Sequence, residues 1–160
     1  MKKRKKRQNK LLIFAICIIL TYFVGFIGSI FTSEGASSSW YQSIKPSITP
    51  PSYVFLIVWN ILFFLIALSL YFAWISSNPK QKIEVGIIFA VNFILNISWS
   101  IIYFSLKNPL FALINIFAII ISIIAIMITV KRIDIKSYYL LYPYLIWICF
   151  ATLLNYLSIK

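Results

Sequence analysis

The chain contains no histidine. The commonest general base, the commonest transition-metal ligand and the usual proximal haem ligand are therefore missing. Acids are nearly as scarce. Glu34, Glu84 and Asp134 are the three carboxylates in 160 residues. Reading Glu34 and Asp134 in loops and Glu84 at a helix start leaves no carboxylate pair inside a membrane, which argues against an ion-coupled transporter. Four glycines provide no phosphate-cradling loop. Cys17 and Cys149 fall in separate apolar runs and read as small apolar residues, not a disulfide. Zinc, P-loop and catalytic-triad chemistries have no support, and no metal site is expected. Charged residues make up only 11%, against about 25% in soluble domains, so that class is excluded.

What fills the chain is apolar. Runs of about 20 apolar residues cross a bilayer core at about 1.5 Å per residue. Such runs occur at 11–31, 53–75, 85–106, 110–130 and 138–159, and none holds a charged residue. The expected fold class is an all-α integral membrane protein, a five-transmembrane-helix bundle. A basic cytoplasmic tail (1–10) precedes one membrane domain (11–160). The first run is longer than the usual 7–15 residues of a signal peptide, so it is read as a retained helix. Short connections suggest that successive helices are antiparallel neighbours.

The formal charge of +12 does not point to nucleic acid. Lys2, Lys3, Arg4, Lys5, Lys6, Arg7 and Lys10 crowd the tail directly before an apolar helix, with no soluble binding module beside them. With Lys80, Lys82, Lys131, Arg132 and Lys136, twelve basic residues share one side; Lys45, Lys107 and Lys160 share the other. The positive-inside rule then puts the N-terminus in the cytoplasm and the C-terminus outside, in what reads as a bacterial plasma membrane. The tail either contacts anionic lipid or serves only as a topology signal; both readings stand.

The substantial loop, Thr32–Ser52, reads as a poor helix in its first half. Trp40 and Tyr41 suit the membrane interface. Pro46, Pro50 and Pro51 stiffen its second half. It is either a cover over the bundle mouth or an interfacial anchor. Asn78-Pro79 and Asn108-Pro109 mark turns or helix starts.

Within the spans, polar and aromatic residues fall on single faces. Asn92, Asn96, Trp99, Ser100 and Tyr103 share one side of the third span. Pro143, Trp147, Ala151 and Asn155 recur every four residues in the fifth, and Ala151 leaves space beside Trp147. Trp59, Phe63 and Ile66 share a face of the second, next to Asn60; the fourth offers Asn115 and Ser122. Amides in lipid need partners, so these faces should look inward. They serve either as packing and interhelical glue or as the wall of a cavity for a large, flat, mostly apolar ligand. Small residues at Thr21, Gly25 and Ser29 suggest a close helix contact. Gly86 and Ala90 suggest a second, a candidate dimer face.

Taken in order, these residues resemble a known family. Trp40-Tyr41, Lys45-Pro46-Ser47-Ile48-Thr49-Pro50-Pro51 and Val58-Trp59 come first. Asn92, Asn96-x-Ser98-Trp99-Ser100, Tyr103-Phe104 and Asn108-Pro109-x-x-Ala112 follow. Pro143-Tyr144-Leu145-x-Trp147, Phe150-Ala151 and Leu154-Asn155 complete the set. The set resembles the TspO/MBR family of tryptophan-rich sensory proteins and translocator proteins, over everything after the tail.

That resemblance implies a five-helix bundle, commonly a homodimer. It implies binding of a porphyrin or other tetrapyrrole (protoporphyrin IX, and haem) among the helices, for sequestration, sensing or transport. No cofactor is required; porphyrin is ligand or substrate. The matching pocket positions are Pro51, Trp59, Phe63, Asn92, Trp99, Trp147 and Ala151, with Trp40 and Pro46 on the lid-like loop. Lys45 at the outer mouth is available to a propionate. Light-dependent porphyrin degradation, an enzymatic alternative, would use Trp59 and Trp147 as its catalytic pair. Lipid or sterol binding by a regulatory or scaffold protein is the other alternative; Leu154-x-Tyr156-x-x-x-Lys160 fits a weak cholesterol pattern. The chain departs from the family at Ile48, where Trp is usual, at Leu56, where Gly is common, and at Asn115, where many members carry an acid. The basic tail is also outside the family pattern.

Overall fold

A computed structural model describes residues 2–159, with side chains from Gln8 onward. The side chains of Lys2–Arg7, and Lys160, lie outside the described residues, and with them the tail's lipid contact and the last position of the cholesterol pattern. Eight helical segments follow in order: α1 (Lys2–Ala36), α2 (Ser39–Ile44), α3 (Ser52–Ser76), α4 (Pro79–Ser100), a π turn (Ile101–Ser105), α5 (Pro109–Lys131), α6 (Ile135–Tyr139) and α7 (Tyr142–Leu157). Among the described residues there is no strand. Five stretches are long and apolar enough to cross a membrane: 8–36, 52–76, 79–105, 109–131 and 135–157. Each expected run overlaps one of them, although the third and fifth stretches end at Ser105 and Leu157, short of the expected 106 and 159. Their outer faces carry exposed Leu12, Ile19, Phe23, Phe64, Ile94, Ile121 and Ile146, a surface only hydrocarbon solvates cheaply.

Local chemistry sets the element ends. Asn78 caps α4 through a reciprocal bond with Gln81, and Asn108 caps α5 by accepting from Phe111. Proline follows each cap, where its missing N–H costs nothing. The Asp134 carboxylate accepts from the Lys136 and Ser137 amides and starts α6. Glu84, expected at a helix start, instead lies inside α4 and accepts from Thr129 at 3.3 Å. Glu34 lies in the last turns of α1, not in a loop.

The long loop is more ordered than its composition suggests. α1 continues to Ala36, and α2 occupies Ser39–Ile44, where a poor helix was expected. Ser38 caps α2 by accepting from the Tyr41 amide. Its aromatic side chains then dock on the bundle, and tertiary packing overrides weak propensity.

The spans close a ring. α1 packs on α3 and α4, α4 on α5, α5 on α7, and α6 bridges α5 to α3. In span order the ring runs first, second, fifth, fourth, third. The second and third spans are therefore not simple neighbours, as short connections suggested. They flank α1 and meet near their turn, where Trp74 lies 3.7 Å from where a β-carbon would stand on Gly86. Glycines on α1 admit both flanks. Phe63 of α3 lies directly over Gly25, Ser100 of α4 approaches Gly28, and Phe104 packs on Gly35. Thr21 is fully buried, as the small-residue stripe anticipated, whereas Ser29 is exposed. On the other side Ser69 and Ser137, both fully buried, bond hydroxyl to hydroxyl at 2.8 Å and each to the other's carbonyl, joining α3 to α6.

At the α6 end, Lys82 lies over Trp74, Lys131 over Tyr138 and Lys136 over Phe72, at 5.3–6.0 Å from the ring centroids. Cations seated on aromatic rings suit a membrane interface.

Candidate functional site

The polar faces of the spans meet inside the ring in two groups, but Asn115 of α5, expected to look inward, joins neither and lines an outer groove without a partner. The first joins α4, α5 and α7. Asn92, 1% exposed, donates to the Ser122 hydroxyl at 2.8 Å. The Tyr144 hydroxyl donates to Asn92 Oδ1 at 3.1 Å, and Asn96 donates to the Tyr144 oxygen at 2.6 Å. In lipid each of these groups would be costly alone; together they are satisfied. The Tyr144 ring is also the floor of an aromatic wall. Trp59 lies 6.4 Å from it edge-on, and Phe63 lies 5.2 Å from Trp59.

The second group lies at the α2 end. Trp99 stacks on Tyr103 at 5.0 Å and 22°. The Trp40 ring meets Tyr103 edge-on at 5.9 Å, and Tyr41 meets Phe104 at 5.5 Å. Burial raises the Tyr41 phenol above its ordinary value. Tyr103 and Phe104 stand on the π turn, whose extra residue per turn re-aims side chains. Trp99 Nε1 donates to Asn155 Oδ1 at 3.0 Å, and Asn155 Nδ2 donates to the Pro109 carbonyl at 2.8 Å. One amide thus ties together α4, the start of α5, and α7.

Trp147 sits between these groups in sequence and differs from both. Its ring lies 5.5 Å from Phe55 of α3 and 5.5 Å from Phe150. Its indole nitrogen is buried and has no hydrogen-bond partner. Ala151, one turn on, is partly buried against the core. The Thr49 hydroxyl in the proline-rich loop is likewise buried without a partner.

The expected site residues are thus distributed. Trp59, Phe63 and Asn92 join one network through Tyr144; Trp40 and Trp99 join another through Tyr103; Trp147 and Ala151 lie on α7 beside Phe55. Pro51 is the exposed cap of α3 and Pro46 is partly buried in the loop. Phe55, Tyr144 and Ser158 (which accepts from Tyr103 at 2.7 Å) were not singled out as site residues. A phenol in an apolar span is itself a signal, since its hydroxyl must find a partner.

Two cavities open beside these groups. One of about 400 Å³ lies at the α2 end, lined by Trp40, Ile44, Lys107, Asn108 and Ser158 among others. The other, of about 440 Å³, is a groove between the π turn and α5. Among the described residues no group of His, Cys, Asp or Glu could hold a metal ion.

Chemically, the α3–α7 wall offers flat apolar faces, an unused indole donor and the Tyr144 phenol, whose hydroxyl is already engaged by Asn92 and Asn96. Its rings and the free indole N–H suit an aromatic partner that carries an acceptor.

Residues 17–159 match the profile of the TspO/MBR family. The chain is 37% identical over 152 residues to the tryptophan-rich protein TspO of Chlorobaculum tepidum, covering 93% of this chain and 95% of that one. It is 37% identical over 140 residues to the protein of the same name from Archaeoglobus fulgidus, covering 87% and 90%. It is 30% identical over 135 residues to the translocator protein of Homo sapiens, covering 82% and 79%.

Proposed function

The chain belongs to the TspO/MBR family, and on that premise we propose that it binds a porphyrin among its helices, for sequestration, sensing or transport. The observation that carries this reading is the Trp147 indole, buried on an aromatic wall with its N–H unpartnered. A flat ligand with an acceptor at its edge would satisfy that donor while stacking on the rings. Trp59, Phe63 and Phe55 supply the apolar face, Ala151 the space, and the Trp40 helix with the Pro46–Pro51 segment the cover. Lys45, exposed at the end of α2, is available to a propionate.

The excess of cations at the α6 end supports an orientation with that end, and the N-terminus, in the cytoplasm. This fits a plasma membrane with the Trp40 cover outside. A homodimer through α4 fits the exposed Ala90, Ile87 and Ile94 beside Gly86.

The test is a titration in the dark. Purified protein in nanodiscs is mixed with protoporphyrin IX and its tryptophan fluorescence followed, beside Trp147→Phe and Ala151→Leu. Saturable quenching at about one porphyrin per chain, weakened in Trp147→Phe and lost in Ala151→Leu, supports the reading. Linear quenching identical in all three overturns it and leaves lipid binding or scaffolding.

Light-driven porphyrin oxidation is a second reading, in which Trp59 on α3 and Trp147 on α7, each set in an aromatic cluster, would be the indoles used. Excited porphyrin and oxygen would supply the oxidation, and the two indoles would hold the ring and donate electrons. Trp→Phe at either position should then abolish turnover and spare much of the binding. Parental rates in both variants would end that assignment.

A further inference from the structure

The groove between the π turn and α5 lies on the outside of the bundle, away from the aromatic wall. Ile102 and Leu106 form one side; Phe111, Ile114 and Ala118 form the other. Its floor is Asn115, whose carboxamide oxygen is buried and has no hydrogen-bond partner. Nor does the rest of that carboxamide bond to any other group in the bundle.

Asn115 stands six residues into α5, about 9 Å below the start of that helix at 1.5 Å per residue. At that depth, beside exposed Phe111 and Ile114, an unpaired amide facing hydrocarbon is costly. Every other amide of the inner helices is engaged: Asn92, Asn96 and Asn155 all have partners. Asn115 alone among them awaits one.

The groove indicates what that partner is. It contains no charged side chain, so a phosphate or carboxylate head would be stranded there. A second copy of the chain is disfavoured by shape. Asn115 is partly buried between exposed Phe111 and Ile114, whose side chains would hold two such amides on facing helices apart. A slender hydroxyl can reach the Nδ2 edge of the amide, which unlike Oδ1 is not fully covered. It also serves whichever way the amide is turned, because a hydroxyl both donates and accepts. A lipid whose whole head is a hydroxyl also settles deeper than a phospholipid.

We propose that this groove is a binding site for a neutral hydroxyl-bearing lipid, a diacylglycerol, whose free hydroxyl bonds to the Asn115 carboxamide while an acyl chain lies along Ala118. The site is separate from the porphyrin reading and survives or fails without it.

The probe is a diacylglycerol with a photoactivatable acyl chain, added to the full-length protein in phosphatidylcholine nanodiscs, with labelled peptides mapped by mass spectrometry. Labelling should be saturable and concentrated on the π turn and 109–118. Unlabelled diacylglycerol should compete, and its hydroxyl-acetylated analogue should compete about tenfold less well, the effect of one hydrogen bond in this setting. Asn115→Leu should weaken labelling by a similar factor. Ala118→Phe fills the groove without altering the amide and should abolish it, which keeps the test decisive if Asn115→Leu fails to fold. Uniform labelling of all lipid-facing helices, or equal competition by the acetylated analogue, overturns the proposal. Efficient cross-linking of two chains through Asn115→Cys overturns it in favour of a second copy.

Discussion

The Trp99 indole donates to the Asn155 carboxamide at 3.0 Å, so that the end of α4 is held to α7 inside the membrane domain. Asn155 passes the tie to α5 by donating to the Pro109 carbonyl. Asn155→Leu would strand both partners in a buried site. A loss of about 2 kcal/mol is expected, the cost of unsatisfied buried groups. It should appear as a lower unfolding temperature in detergent; an unchanged midpoint would mean that the tie contributes nothing.

Two of the interior tryptophans, Trp99 and Trp147, should behave differently. Trp99 has an acceptor and Trp147 has none. Trp99→Phe is expected to cost about 1–2 kcal/mol more than Trp147→Phe, because only the first strands a buried partner. Denaturation of both variants without ligand measures the difference. Equal losses would mean that the Trp147 indole has a partner of its own.

Phe63 lies over Gly25 with no room for a β-carbon. Gly25→Ala should therefore push α1 from α3 and destabilise by about 1–3 kcal/mol, as overpacking does. Phe63→Leu in the same chain should restore part of the loss. A double-mutant cycle reads that coupling, and strict additivity would show that the two positions do not meet in solution.

Lys107 is the one non-glycine residue with positive φ among those described, at 51°. It follows the π turn where the Asn108 amide bonds back to the Ile102 carbonyl at 3.1 Å. A left-handed residue costs roughly 1–2 kcal/mol, and glycine avoids most of it. Lys107→Gly should raise the unfolding temperature and Lys107→Val lower it; the reverse order would contradict the backbone geometry.

Alkaline pH should release α2. Burial raises the Tyr41 phenol from its ordinary 10.0. The docked state therefore keeps a proton that the undocked loop gives up. The contribution of Tyr41 to docking is full below pH 10 and is lost as pH rises through and beyond that value. Trp40 fluorescence should report this change in the parent and not in Tyr41→Phe. A transition of the same midpoint in both would assign it to another group.

Much of this was legible in residues. Asn78-Pro79 and Asn108-Pro109 mark helix starts because a capping amide followed by proline suits that place and few others. The inward face of Asn92 and Asn96 follows from the cost of amides in lipid. The loop was less legible. Its Ser and Gly content argues against helix, yet Trp40 and Tyr41 bring α2 onto Tyr103 and Phe104, residues over 60 positions away. The ring order was also hidden, because a short turn joins α3 to α4 only at one end, and the glycines of α1 decide what lies between them.

The residues by themselves determined that five apolar helices cross a membrane and which of their faces carry amides and tryptophans. Length, hydrophobicity and helical period are local quantities, and the bilayer imposes them on each segment separately. Only the tertiary structure decided which amides satisfy one another, and that Asn115 and the Trp147 indole are left without partners. Pairing depends on where different helices bring their side chains, and no spacing along one helix contains that information.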